Sequence, residues 1–351
     1  MGASETPRIS ARRLRARRSA VIVTAVLLAA ILAYAVTQLN LHRVGHALIT
    51  ATPGWIVLAL ALMGTSLVLR SISWHATLRA ALPDTDVPWK PVLRATMIGV
   101  MGSALLPGRV GEPSRVIVLT RRLDGSTRSQ LPTVAGTVFS QTLINLLALM
   151  ILLAVTFSSV PLLNGHLAGI VSALAVPLAI CLLVLAGPRL LRRAQHSRYA
   201  RVARAGFAAK RLLELARQGL VVFARPRQGA IAVAFQLLAW ALQWLACYSV
   251  LLALGLQGDG GLVCAAAILL GVNLSAVLPA TPSNVGVFQA ACVVVLAAYG
   301  VGAGTGVAYG IILQAVEVVT AIGLGVPALL GEGLRWSDLR SGGSSAGEGA
   351  Q

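Results

Sequence analysis

Charged residues are scarce in this sequence, and acidic residues are the scarcest of all. Only 11% of the 351 residues are charged, and 11 Asp and Glu stand against 29 Lys and Arg. Soluble domains carry about 25% charged residues. A chain that is 57% hydrophobic is therefore not an ordinary water-soluble domain, and the composition predicts that it lies in a bilayer. The 35 Gly and 15 Pro residues agree with this, since transmembrane helices tolerate both.

Cysteine and histidine are also few, and neither shows the spacing of metal ligands. The four Cys lie inside apolar runs without a CxxC pair, and the five His are scattered along the chain. We interpret the Cys as reduced core residues and the His as interfacial residues. No His–acid dyad or GxxxxGK[ST] loop is present. We therefore expect no metal, no cofactor and no enzymatic activity.

The net charge of +18 raises nucleic acid as a partner, but the distribution of the charge argues against it. The basic residues fall in the gaps between apolar runs. The N-terminus and the loops 75–95, 121–130 and 188–227 are basic, and the C-terminal segment carries Arg335 and Arg340, whereas the loops 38–53, 158–166, 257–262 and 300–306 contain a single basic residue, Arg43. The positive-inside rule then predicts a multi-pass protein of a bacterial-type plasma membrane, with both termini in the cytoplasm.

The apolar runs predict an all-α fold of about six spanning helices plus two re-entrant helical hairpins related as inverted repeats. The spans are expected at about 20–37, 55–74, 131–157, 167–187, 230–256 and 307–330. Residues 1–19 form a basic cytoplasmic N-terminus, 20–335 a single transmembrane domain, and 336–351 a disordered Gly/Ser-rich tail. For the first run a cleaved signal peptide is the alternative to a retained helix, because Ala33-Tyr34-Ala35 resembles a cleavage site.

The segment 188–227 combines eleven basic residues with interleaved apolar ones, and Glu214 is its only acid. One interpretation is a basic amphipathic helix on the anionic cytoplasmic leaflet. The other is a solvated loop that follows the positive-inside bias.

A short motif occurs twice. The stretch GVMGSALLP at 99–107 shares six of nine positions with GVNLSAVLP at 271–279, at a constant offset of 172. We interpret this as internal duplication, with repeat A at about 54–157 and repeat B at about 229–331. The topology inverts one copy relative to the other, an arrangement typical of transporters with a site near the midplane. Each arm of the first hairpin is expected to have about 12 residues, or about 18 Å of helix, and the second hairpin is expected to have longer arms.

The two breaks are rich in turn-forming and charged residues. The expected turn residues are Pro107, Gly108, Gly111, Pro279, Pro282 and Gly286. Arg109, Glu112 and Arg115 follow the first break, and charge at membrane depth is costly. Arginine suits phosphate, and helix N-termini attract anions. A structural Arg115–Glu112 pair at the interface is the alternative.

Other polar residues interrupt the apolar runs. Glu317 is expected to need a partner, a proton or water, and we expect a partner among Arg109, Arg115 and Arg70. Gln141 and Asn145 share one helix face, as do Gln314 and Glu317. Interhelical hydrogen bonding is the alternative role of the amides, which are Gln141, Asn145, Gln236, Gln243, Asn273 and Gln314.

With these residues the chain resembles the lysylphosphatidylglycerol synthase transmembrane region, or flippase-like, family. LLPGRVGEPSR at 105–115 is similar to its first signature and LPATPSNVGVFQ at 278–289 to its second. The resemblance implies a lipid flippase with lipid partners. It adds Asn284 and Gln289 to the candidate binding residues, although the family usually has a glycine-rich turn and a Glu here. No synthase-sized domain follows 330, so we expect that this chain does not carry out aminoacyl transfer.

Three functions compete. The leading hypothesis is transport of an anionic or zwitterionic phospholipid, or of a polyprenyl-linked lipid, between leaflets. A second is a non-catalytic partner of an envelope lipid-modifying enzyme or glycosyltransferase, which binds through 188–227. A third is a membrane-embedded lipid transferase, for which the sequence offers no catalytic constellation.

Overall fold

Eight α-helices make up the part of the chain that the structure, a computed structural model, describes: residues 46, 49–105, 111–123, 127–159, 225–256, 258, 260–276 and 284–331. They are α1 (Pro53–Ala81), α2 (Trp89–Leu105), α3 (Gly111–Thr120), α4 (Thr127–Ser159), α5 (Pro226–Ala253), α6 (Gly261–Ser275), α7 (Val287–Ala298) and α8 (Ala303–Gly331). These ranges contain no strand, and the all-α prediction is confirmed. The expected spans 20–37 and 167–187, the tail and most of 188–227 lie outside the described residues.

Four of the described helices, α1, α4, α5 and α8, are long and apolar enough to cross a membrane. Helices α1 and α5 each begin with a proline, whose fixed φ suits the first helical position and whose missing N–H would have no partner there. The sequence prediction started the α5 span at 230 because Arg227 and Gln228 interrupt the apolar run. The helix begins earlier, at Pro226, so the last two residues assigned to the 188–227 segment belong to α5.

Two pairs of short helices occupy the expected hairpin positions. The arms of the first pair have 17 and 10 residues, and those of the second have 15 and 12. The expectation of equal 12-residue arms in the first hairpin, and of longer arms in the second, is wrong. Helix α2 begins at Trp89, before the apolar stretch. Hydropathy detects only the apolar part of a helix, and polar residues at the membrane interface can lengthen the helix beyond that part.

The order long, short, short, long occurs twice, and the packing follows the same order. Within the first set α1 packs on α2, α2 on α3 and α3 on α4; within the second α5 packs on α6, α6 on α7 and α7 on α8. Between the sets, α2 packs on α8 as α4 packs on α6, and α1 packs extensively on α5. Each described pair therefore has a counterpart in the other set, as two-fold packing requires.

Helices α1 and α5 run antiparallel. Near the start of α1, the Thr52 N–H donates to the carbonyl of Ala253 at 2.9 Å. Near its end, the Ser73 hydroxyl donates to the carbonyl of Ala232 at 2.8 Å. The first helices of the two sets thus point in opposite directions.

Two apolar clusters pack on either side of a polar region. One is built mainly from α5 to α8 and contains Tyr309, whose hydroxyl donates to the carbonyl of Cys247 at 2.8 Å. The other joins α1, α2 and α3 and contains Trp74, Ile98 and Leu119, all fully buried. Helices α1, α4 and α5 meet between these clusters, and the polar side chains of the apolar runs gather there.

Candidate functional site

Glycines bring the two arms of the first hairpin to backbone distance. Gly99 and Gly102 of α2 face Gly111, the first residue of α3. A Cβ at Gly111 would overlap the carbonyl oxygen of Gly99 and lie 2.6 Å from the backbone nitrogen of Ser103. Only glycine fits, so the N-terminus of α3 is held against α2. The other expected turn residues of this break, Pro107 and Gly108, and the charged Arg109 lie outside the described residues.

Arg115 and Glu112 form an ion pair in the first turns of α3. Arg115 Nη2 lies 2.5 Å from Glu112 Oε2. The arginine is 8% exposed, whereas the glutamate side chain is 51% exposed. Glu112 is favoured where the helix dipole is positive, and it neutralises the buried arginine. Among the described residues, Arg115 Nε has no hydrogen-bond partner, so one buried donor remains available.

The Arg115 side chain packs on an aromatic ring of α1, which is itself held by a hydrogen bond to α4. Its guanidinium carbon lies 4.8 Å from the centroid of the Trp74 ring of α1, within the range of a cation–π interaction. Trp74 is fully buried and its Nε1–H donates to Thr137 Oγ1 of α4 at 3.0 Å. Sequence reasoning missed Trp74 and Thr137, because neither carries a signal that separates it from an ordinary core residue.

A second arginine, Arg70, lies two-thirds along α1. Its Nη2 donates to Gln243 Oε1 of α5 at 2.6 Å, and its guanidinium carbon lies 5.7 Å from the ring centroid of Trp240. Arg70 Nε is buried and has no hydrogen-bond partner among the described residues. Within the part of the chain that the structure describes, both arginines of the site therefore keep one N–H group without an acceptor.

Amide side chains extend the Arg70 contacts to α4. Asn145 Oδ1 accepts from Gln236 Nε2 at 2.6 Å and from Trp240 Nε1 at 3.0 Å. Gln141 Nε2 donates to Gln236 Oε1 and to the Arg70 carbonyl, each at 3.4 Å. The structure thus brings Gln141 and Asn145 together with Arg70. We name these side chains the central network: Arg70, Gln141, Asn145, Gln236, Trp240 and Gln243.

The second break is organised by Gln289. Asn284 and Gly286 adopt positive φ (52° and 88°) and turn the backbone before α7. The Gly286 N–H donates to Gln289 Oε1 at 2.7 Å, which caps the helix, and Gln289 Nε2 donates to Gln314 Oε1 at 2.5 Å. The amide of Gln289 therefore holds the turn to α8, and sequence reasoning did not foresee this role. Pro279 and Pro282 lie outside the described residues.

Glu317 is half-buried, one turn beyond Gln314 on α8. Of its three expected partners, Arg109 lies outside the described residues and Arg115 pairs with Glu112. No Glu317–Arg70 ion pair within 4 Å occurs among the described residues. Arg70, Arg115, Glu112 and Glu317 thus give the described helices two positive and two negative groups.

The arrangement suits binding of an anion. Arg115 is buried and Arg70 half-buried, each has a buried Nε–H donor without an acceptor among the described residues, and a phosphate supplies acceptor oxygens for such donors. Within the described ranges, no three His, Cys, Asp or Glu side chains cluster to hold a metal ion. The thiols of Cys247, Cys264 and Cys292 are buried and form no disulfide among the described residues.

No curated protein matches this chain. Residues 20–325 match the family described as the lysylphosphatidylglycerol synthase TM region, and the chain belongs to that family.

Proposed function

We propose that this integral membrane protein of a lipid-related family moves a phospholipid or lipid-linked substrate between leaflets. The observation that carries the proposal is the pair of arginines, Arg70 and Arg115, each with a buried Nε that has no acceptor among the described residues. A buried donor without a partner costs about 1–3 kcal/mol, and more when it is charged. Two such donors among apolar helices therefore favour a binding site for a ligand with acceptor oxygens.

The headgroup phosphate would bind these arginines, while the acyl chains stay in lipid. Arg115 lies at the N-terminus of the half-length helix α3, where the dipole also favours an anion. Glu112 and Glu317 balance the charge of the arginines, and they offer carboxylates to an amine on the same headgroup. A phospholipid that carries both a phosphate and an amine therefore complements all four charges.

Alternating access would come from movement of one set of four helices against the other. The antiparallel α1 and α5 and the matched packing of the two sets support inverted repeats, which rock about a shared site in many transporters. The proposal places both termini on the cytoplasmic side of a bacterial-type plasma membrane, and it assigns transport, not catalysis, to this chain.

Lipid movement in proteoliposomes tests the proposal. The full chain is reconstituted with fluorescent phosphatidylglycerol, its lysyl form or a polyprenyl-phosphate sugar, and the fraction that reaches the opposite leaflet is measured over time. Wild type is compared with Arg115→Ala and Glu112→Ala. Arg121→Ala is the matched control. Arg121 is exposed just beyond α3, and its replacement removes the same charge as Arg115→Ala does.

We expect movement of one lipid class, lost in Arg115→Ala, reduced in Glu112→Ala and kept in the control. If no lipid moves while all variants keep the wild-type melting midpoint, transport is refuted. The second hypothesis, that the chain is a non-catalytic partner of an envelope enzyme, is then favoured over transport.

A further inference from the structure

A cavity of ≈ 230 Å³ lies between α1 and α5, away from the central network and the Arg115–Glu112 pair. Its polar side is formed by Arg79, in the last turn of α1, and by Arg227 and Gln228, in the first turn of α5. Because the two helices are antiparallel, both arginines lie at the same end of the pair. No Asp or Glu is among the described residues that line it.

Helix geometry adds to the positive potential of this cavity. Helix α5 begins here, so its first backbone N–H groups have no carbonyl partner within the helix, and its dipole is positive at this end. His75 lines the cavity and donates from Nε2 to the carbonyl of Val87 at 2.8 Å, which fixes the loop after α1 beside it. The acids of that loop, Asp84 and Asp86, are exposed and do not line the cavity.

The inner side of the cavity is apolar. It is formed by Ile72 and Ala76 of α1 and Ile231 of α5. A volume of ≈ 230 Å³ is below the usual range of pockets that enclose a whole drug-sized ligand, about 300–1,000 Å³. The space suits a headgroup whose tails lie elsewhere. Arginines toward the membrane surface and isoleucines toward its interior match the polarity of a phospholipid.

The opposite end of the same helix pair lacks these charges. Aligning the initial prolines of α1 and α5 gives an offset of 226 − 53 = 173. The positions that then correspond to Arg79 and Arg227 are Leu252 and Gly54, which are uncharged. The basic residues of the cavity therefore occur at one end of the helix pair only. The matched packing of α1 and α5 does not account for them.

We propose that this cavity binds the phosphate of an anionic phospholipid headgroup, with Arg79 and Arg227 as its ligands. The acyl chains extend along the lipid-facing sides of α1 and α5. Basic pockets between transmembrane helices near the cytoplasmic surface suit anionic lipid headgroups, and charge places this end of the pair on the cytoplasmic side. The site is distinct from the arginines proposed for transport, and it does not depend on transport.

Native mass spectrometry of the detergent-solubilised full chain tests the assignment. Phosphatidylglycerol, phosphatidylcholine and inorganic phosphate are titrated separately, so that the lipid and the free anion are distinguished. Arg79→Gln/Arg227→Gln is compared with Lys90→Gln/Arg121→Gln, which removes the same charge from exposed positions that do not line the cavity. Ile72→Phe keeps both arginines and fills the space.

We expect the Kd for phosphatidylglycerol to rise at least about tenfold in the cavity double variant, as for the loss of charge-assisted hydrogen bonds. The control should stay within about twofold of wild type, and Ile72→Phe should weaken the same lipid. An equal loss in the control, or phosphatidylglycerol that binds wild type no tighter than phosphatidylcholine, overturns the proposal. Binding of inorganic phosphate without phosphatidylglycerol overturns the lipid assignment. If Arg79→Gln/Arg227→Gln lowers the melting midpoint, the effect of Ile72→Phe on the Kd for phosphatidylglycerol decides the test.

Discussion

Replacing Asn145 by leucine removes an acceptor that two buried donors share. Gln236 is fully buried and Trp240 is 6% exposed, and both donate to Asn145 Oδ1. Leucine has a similar shape, so the main loss is the two hydrogen bonds. Interhelical hydrogen bonds in membrane proteins contribute about 0.6 kcal/mol on average and about 1.7 at most. We therefore expect Asn145→Leu to lower the free energy of unfolding by about 1–3 kcal/mol.

The control for this prediction is Asn273→Leu on α6. Asn273 donates from Nδ2 to the carbonyl of Leu269, one turn earlier in the same helix, at 2.8 Å. The substitution leaves no donor on another helix without its acceptor. The free energy of unfolding should therefore change by no more than about 0.5 kcal/mol. Unfolding by sodium dodecyl sulfate in mixed micelles, followed by tryptophan fluorescence, measures both variants. Equal stabilities of the two would refute the assigned role of Asn145 as the shared acceptor.

Three further predictions concern the hairpins and the ion pair. Gly111→Ala should lower stability by about 1–3 kcal/mol in the same assay, because a Cβ there overlaps α2; Gly54→Ala, with open space around its Cβ, should be neutral or stabilising. Arg115→Lys should reduce lipid movement about tenfold, since lysine keeps the charge but loses the planar fork, and Arg121→Lys should not reduce it. Gln289→Leu removes the cap of α7 and should cost about 1 kcal/mol of unfolding free energy, whereas Gln289→Glu keeps the acceptor and should cost less.

The fold was largely predictable because hydrophobicity is the main signal in a membrane chain. Runs of apolar residues located α1, α4, α5 and α8, and the repeated motif at 99 and 271 located both short-helix pairs. The ends of helices were less predictable. Helix α5 begins at Pro226 and therefore includes Arg227. Its first turn can lie at the membrane interface, where a charged side chain is tolerated, so hydropathy does not mark this end of the helix.

The site was predictable only where its signal is local. Gln141 and Asn145 are four residues apart, so their shared face follows from the helical repeat. Their contacts with Gln236 and Trp240 depend on how α4 packs against α5, which spacing along one helix cannot specify. Gln289 was predicted as a binding residue from the family resemblance, and the resemblance gave no sign that its amide also holds Gly286 and Gln314.

The packing of the helices repeats in this chain, whereas its polar residues do not. The helices α1–α4 and α5–α8 make corresponding contacts. When the initial prolines of α1 and α5 are aligned, Arg70 corresponds to Gln243, and the two side chains hydrogen-bond each other. One charge therefore lies between the two sets instead of a repelling pair. If the chain transports lipid as we propose, a ligand that binds Arg70 would change a contact common to both sets, and its binding would thereby favour one arrangement of the sets over the other.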